Sequence, residues 1–198
     1  MVWGKAGSDT LTSTGDDIDI TSMTASKFNM IIFHKLASGD ADPDMTFNND
    51  STSKYAIRYN QDGASDGTGT SGSNISARVT ADDDEFFIQY VCSISGEEKL
   101  GIGFNCARNT AGAGNATRRM EFVFKYVPSP DADITRIDFN NDLSGSYDTG
   151  SNLSALGSDI TPAAAIPAID DVQNNSLFVE KDTAKRYWFN GTTWVLET

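Results

Sequence analysis

Few of the side chains that carry chemistry occur in this chain. Its 198 residues include two cysteines and one histidine. Two cysteines are too few for a thiolate zinc centre. A single histidine limits every nucleophile–base pairing to His34. No G-x-S-x-G elbow occurs among the many serines. Basic residues number 15 against 28 acidic ones, for a net charge of −13. Nucleic acid is therefore an unsuitable partner, because phosphates call for a basic patch. Anionic membrane is disfavoured for the same reason. No apolar run approaches the ~20 residues of a membrane-spanning helix, so membrane insertion is not expected. The first residues, Met1-Val2-Trp3-Gly4-Lys5, lead into Ser, Asp and Thr with no apolar core of a signal peptide.

Aromatics are plentiful: 11 Phe, 6 Tyr and 3 Trp, spread along the chain. Seventeen glycines, with abundant Ser, Thr, Asn and Asp, separate short apolar runs. Such a pattern predicts many turns and short strands. Residues 27–36 read as a central strand, apolar on much of both faces. Residues 54–60 and 118–127 alternate, the latter with Met120, Phe122, Phe124 and Tyr126 inward. Residues 61–73 hold nothing apolar larger than Ala and read as a surface loop. Residues 140–158 read as turns. The clearest hairpin joins residues 85–95 to 99–108 about Glu97. One of its faces carries Phe86, Ile88, Tyr90, Cys92, Ile94, Leu100, Ile102, Phe104 and Cys106. The other carries Gln89, Ser93, Lys99, Gly101, Gly103 and Asn105. The first is expected to be core and the second wet.

The fold expected is all-β: a jelly-roll-like antiparallel β-sandwich over residues 1–159, a Pro/Ala-rich linker over 160–175 and a small β-meander over 176–198. Three runs form the meander, the last two joined by Asn190-Gly191, a pair suited to a type I′ turn. A lone meander of this size must pack against something.

Several residues are candidates for a site. Asp40, Asp42 and Asp44 alternate in a loop, as carboxylates converging on Ca²⁺ would. The EF-hand pattern fails there, because Met45 and Ser51 stand where Gly and Glu belong. Solvated loop charge is the competing reading, and it also serves for the acidic run Asp82–Glu85. Cys92 and Cys106 share a face but lie about four residues apart, or ~13 Å. That is beyond the ~7 Å Cα separation of a disulfide, so both read as small buried hydrophobes. His34 reads as a core or interface histidine. Carboxylate pairs are numerous, but none is singled out for glycoside hydrolysis. No catalytic residue and no cofactor other than calcium is proposed. Tyr187, Trp188, Phe189 and Trp194 form an assembly or ligand surface. Tyr187, Trp188 and Trp194, with Tyr55 and Tyr59, could also stack on sugar rings, which makes a carbohydrate-binding module the alternative reading.

The ending, with Leu177-Phe178, Glu180, Asp182-Thr183, Lys185, Tyr187, Asn190-Gly191 and Trp194-Val195, resembles the C-terminal meander of tail-fibre and other virion proteins of tailed phages. Leu11–Lys27, Phe47–Tyr59 and Ser151–Asp159 more loosely resemble β-rich proteins carried in phage genomes. The resemblance implies a non-enzymatic virion structural protein: a fibre, baseplate or capsid-decorating component. Its partners would be further copies of itself, with a trimer favoured, other virion proteins and a host-surface glycan. It would be made in the host cytoplasm and reside in the virion.

Overall fold

The structure, a computed structural model, describes residues 3–76, 78–80, 82–128, 132–158, 174–180 and 184–197. Chain contacts divide it into two units, Met1–Ile160 and Thr161–Thr198. The expected linker falls almost wholly outside the described residues.

The first unit is an antiparallel sandwich. Its strands are β1 (Gly4–Thr10), β2 (Asp17–Ile20), β3 (Phe28–Lys35), β4 (Ala37–Ser38), β5 (Asp44–Phe47), β6 (Tyr55–Gln61), β7 (Gly67–Gly72), β8 (Ile75–Ser76), β9 (Glu85–Cys92), β10 (Lys99–Ala107), β11 (Arg118–Tyr126), β12 (Ile137–Asn140), β13 (Ser146–Tyr147) and β14 (Asn152–Ser158). Eight form a large sheet in the order β1-β14-β3-β9-β10-β11-β6-β7. Four form a small one, β2-β12-β5-β8, and β13 pairs with β4. The chain passes repeatedly from one sheet to the other, so both inner faces draw on the whole sequence.

Between the sheets lies an aromatic core. Phe33 and Phe87 on the large sheet meet Phe139 on the small one, with ring centroids 4.4 Å apart for Phe33–Phe139. Tyr147 packs edge-on to Phe33. A second cluster places Phe47 of the small sheet against Phe124 and Tyr126 of the large one. Tyr126 stacks on Tyr55 at 4.8 Å. The Tyr55 hydroxyl accepts from the Phe47 N–H and donates to the Asp50 carbonyl.

Several expectations are corrected. The hairpin β9–β10 turns about Gly96, not Glu97, so Cys92 stands opposite Leu100 and Cys106 opposite Phe86. Its parity is inverted: Phe87, Gln89, Val91, Lys99, Gly101, Gly103, Asn105 and Ala107 are buried, while Phe86, Tyr90, Leu100, Ile102, Phe104 and Cys106 are exposed. The physical reason is size matching. Gly101 and Gly103 sit opposite Phe124 and Phe122 on β11, and those rings lie over the glycines. A Cβ on Gly101 would occupy the space of the Phe124 ring. Gly101→Ala is therefore expected to cost about 1–3 kcal/mol, the scale of overpacking, read from the urea midpoint.

The region read as a loop over 61–73 contains β7, paired with β6. Asp62 and Gly63 both take positive φ, and Ala64 N–H bonds the Gln61 carbonyl. This is the left-handed pair a tight hairpin turn requires. Gly67 and Gly69 leave room for Tyr59 and Ile57 of β6. Likewise β14, read as turns, lies between β1 and β3 in the large sheet, with Leu153 and Ala155 in the core.

The second unit holds β15 (Leu177–Val179), β16 (Arg186–Phe189) and β17 (Trp194–Leu196), paired in that order. At the Asn190-Gly191 turn only Gly191 has positive φ. The Asn190 side chain accepts from the Thr192 and Thr193 N–H groups instead, a local bond in place of a type I′ turn.

Candidate interaction surface

The two outer faces of the sandwich differ in kind. On the small sheet, Asp19, Asp138 and Thr46 stand in one cross-strand row, and Arg136 bonds both Asp19 and Asp138. Asp138 and Thr46 of that row are buried, and the part-exposed Asp19 and Arg136 cover them, so the row is polar and internally paired. On the large sheet the pleat points a block of apolar side chains away from the core. One row runs Leu156, Met30, Tyr90, Ile102, Val123 across β14, β3, β9, β10 and β11. The next runs Ser154, Ile32, Ile88, Phe104, Glu121. A third runs Ser158, Phe28, Cys92, Leu100, Lys125. Leu100 is 58% exposed, Ile102 49% and Phe104 48%. Isolated exposed hydrophobics are normal, but a contiguous block of this kind marks an interaction surface.

Its relief is a ridge between two hollows. Leu100, Ile102 and Phe104 of β10 form the ridge. On one side a shallow groove of about 320 Å³ is lined by Trp3, Phe28, Tyr90 and Cys92. On the other a hollow of about 300 Å³ is lined by Arg58, Asn60, Asp66 and Val123. Charge enters at the margins: Lys5 opposite Leu156 on β1, Lys27 over the Phe28 ring, and on the β11–β6 side pairs of both signs. Arg58 pairs with Asp66 at 3.3 Å, Lys125 with Glu98 at 3.0 Å, and Arg119 with Glu121.

The histidine belongs to this face. His34 is exposed, in register with Phe86 and Asn152, which corrects the core reading. Cys92 is half-buried and Cys106 exposed, both as free thiols. The expectation that both are buried is thus corrected for Cys106, because it follows the inverted parity of β10.

Of the calcium candidates, Asp42 and Asp44 lie near each other, both bonding the Ser76 hydroxyl. Asp40 is exposed and bonds Asp82. Asp42 pairs with Arg78 at 3.2 Å, and Asp44 accepts from Asn74 at 2.8 Å. Among the described residues no three His, Cys, Asp or Glu side chains are gathered as a cation site requires. Burial, then the neighbouring Asp42 charge, pushes the Asp44 carboxyl up to about 6. A carboxyl raised above its unfolded value of 3.8 takes its proton preferentially in the folded chain. Its contribution to stability is full below about 4 and is lost as pH rises through about 6. Asp44→Asn should therefore stabilise the fold most above pH 6, and the gain should vanish at the acid end. Thermal melts of both proteins from neutral to acid pH check this.

In the terminal unit, Phe178, Tyr187, Phe189 and Trp194 form one aromatic cluster, with Phe189–Trp194 at 5.3 Å and Phe178–Trp194 at 5.9 Å. Trp188 points to the opposite face, 43% exposed, between Leu177 and Val195. The four predicted residues thus do not make a single surface. Of the other sugar-stacking candidates, Tyr55 is buried against Tyr126, and Tyr59 lines a polar cleft with Gln61, Thr68, Asn74 and Arg78.

Sequence reasoning missed Phe86, Tyr90, Leu100, Ile102 and Phe104 as surface residues. The available signal was the facing of Gly101 and Gly103 by Phe122 and Phe124, small against large on adjacent strands. Comparison with family models, curated proteins and solved structures found no match to this chain.

Proposed function

We propose that this protein is a non-enzymatic structural component of a tailed-phage or similar virion, of the fibre, baseplate or capsid-decorating kind, acting by subunit assembly. One observation carries the assembly part: the apolar outer face of the large sheet. A sandwich that worked alone would gain nothing from holding Leu100, Ile102 and Phe104 in water while Lys99, Gly101 and Asn105 are buried. Covering such a face stabilises an assembly by roughly 25 cal/mol per Å² of apolar area. The placement in a virion is supported by the resemblance of the ending, Leu177 to Val195, to tail-fibre and other virion proteins of tailed phages.

A carbohydrate-binding module is the second reading, and the polar cleft beside Tyr59 is what favours it. It is the weaker one, since Tyr55 is committed to the core. Negative-stain images of the purified chain, with light scattering, separate the two. The assembly reading expects a discrete multi-chain particle or filament that is not retained on polysaccharide. A monomer retained on a polysaccharide column would overturn it.

A further inference from the structure

We infer that the outer face of the large sheet pairs with the same face of a second copy, sheet on sheet, about a two-fold axis that runs between the β10 ridge and one of its flanking hollows. The inference rests on the assembly reading and names the partner.

Area is the first argument. Phe86, Tyr90, Leu100, Ile102, Phe104 and Val123 are each about half exposed. At roughly 150–250 Å² for a whole large side chain, they leave on the order of 500 Å² of apolar surface. The half-buried Phe28, Met30, Ile32 and Ile88 extend the patch. That approaches the ~800 Å² per partner of a standard stable interface.

Shape is the second. One copy offers both a ridge and hollows beside it. A two-fold operation sets the ridge of each copy into a hollow of the other, as an isologous interface requires. Two sheet faces packed this way sit ≈10 Å apart with their side chains interdigitated.

Charge is the third. The chain carries −13 overall, so two copies repel unless they meet where acid is scarce. The centre of this face carries no Asp, Glu, Lys or Arg. Its charged margin bears both signs on every copy: Arg58 with Asp66, Lys125 with Glu98 and Arg119 with Glu121. A face with both signs at its margin can meet itself without net repulsion. The small sheet offers no such apolar block, its corresponding row being Asp19, Asp138 and Thr46.

Leu100→Glu and Ile102→Glu in the full chain test the pairing. Both side chains are exposed in the single chain, so cooperative melting at high dilution should be preserved. Sedimentation across the micromolar range should show wild type as a two-chain species or a multiple of it. Each variant should raise the dissociation constant at least ~100-fold, the scale of losing a central hot spot. Cys106 gives an independent reading. Its addition to a maleimide should slow with concentration in wild type and stay fast in Ile102→Glu. If wild type and both variants assemble alike, with Cys106 equally reactive, this face is not the interface, although assembly stands. A three-chain species overturns the two-fold pairing in the same way. A wild type that stays monomeric throughout, with concentration-independent labelling, overturns both the pairing and the assembly reading.

Discussion

Lys35→Met is expected to destabilise the sandwich by about 3–5 kcal/mol, the cost of leaving a buried charge without its partner. Lys35 and Glu85 have fully buried side chains, and their ion pair measures 3.0 Å. The ammonium also donates to the Ala41 and Thr80 carbonyls. The carboxylate accepts from the Val79 and Thr80 N–H groups and from the Asn105 amide. One pair thus ties β3, β9 and β10 to two connecting segments. Burial pushes the Glu85 carboxyl up, and the Lys35 charge pulls it back. With Lys35 replaced, that pull is gone and Glu85 takes a proton more readily in the folded chain. The deficit should therefore be largest at neutral pH and shrink on acidification. Lys35→Met combined with Glu85→Leu should recover much of the loss, because the uncompensated charge is removed. Urea titrations of wild type, both single variants and the double variant measure this. A double variant as unstable as the sum of its singles would show that the two residues act independently.

Phe33→Ala is expected to cost about 3–5 kcal/mol as well, the range for truncating a large buried aromatic. Phe33 is fully buried and meets Phe87, Phe139 and Tyr147, so its ring joins the two sheets and the β13 segment. A loss of this size is a large share of the 5–15 kcal/mol by which a domain is usually stable. Calorimetry should show a much lower melting temperature with a single transition retained. A loss under ~1 kcal/mol would mean that the core does not run between Phe33 and Phe139.

The all-β sandwich was legible because alternation and turn residues act locally. The parity of β11 was legible for the same reason: Arg119, Glu121 and Lys125 alternate with Met120, Phe122, Phe124 and Tyr126, and charge prefers water. The parity of β9 and β10 was not. Their buried face carries Glu85, Lys99, Asn105 and two glycines, which read as wet residues by type. Glu85 is buried because Lys35, fifty residues earlier, is there to meet it. Gly101 and Gly103 are buried because rings on the next strand fill their space. Both causes are contacts distant in sequence, which a single strand's pattern cannot carry. β7 and β14 escaped notice because Gly, Thr, Ser and Ala give little apolar contrast, although β6 pairs with β7 across one bulge and β3 pairs with β14 throughout. The apolar outer face of the large sheet was hidden by the same inversion, because its residues are core types.

The central claim is that adjacent residues of β10 face opposite ways, Ile102 to the surface and Gly103 to the core. Placing one carboxylate at each position tests it most directly, with unfolding midpoints taken at high dilution so that assembly contributes nothing. Ile102→Glu should stay within about 0.5 kcal/mol of wild type, as for an exposed site. Gly103→Glu should abolish cooperative folding, because it drives an unpaired charge into the Phe122 ring. A folded Gly103→Glu beside an unfolded Ile102→Glu would reverse the sheet and contradict the account.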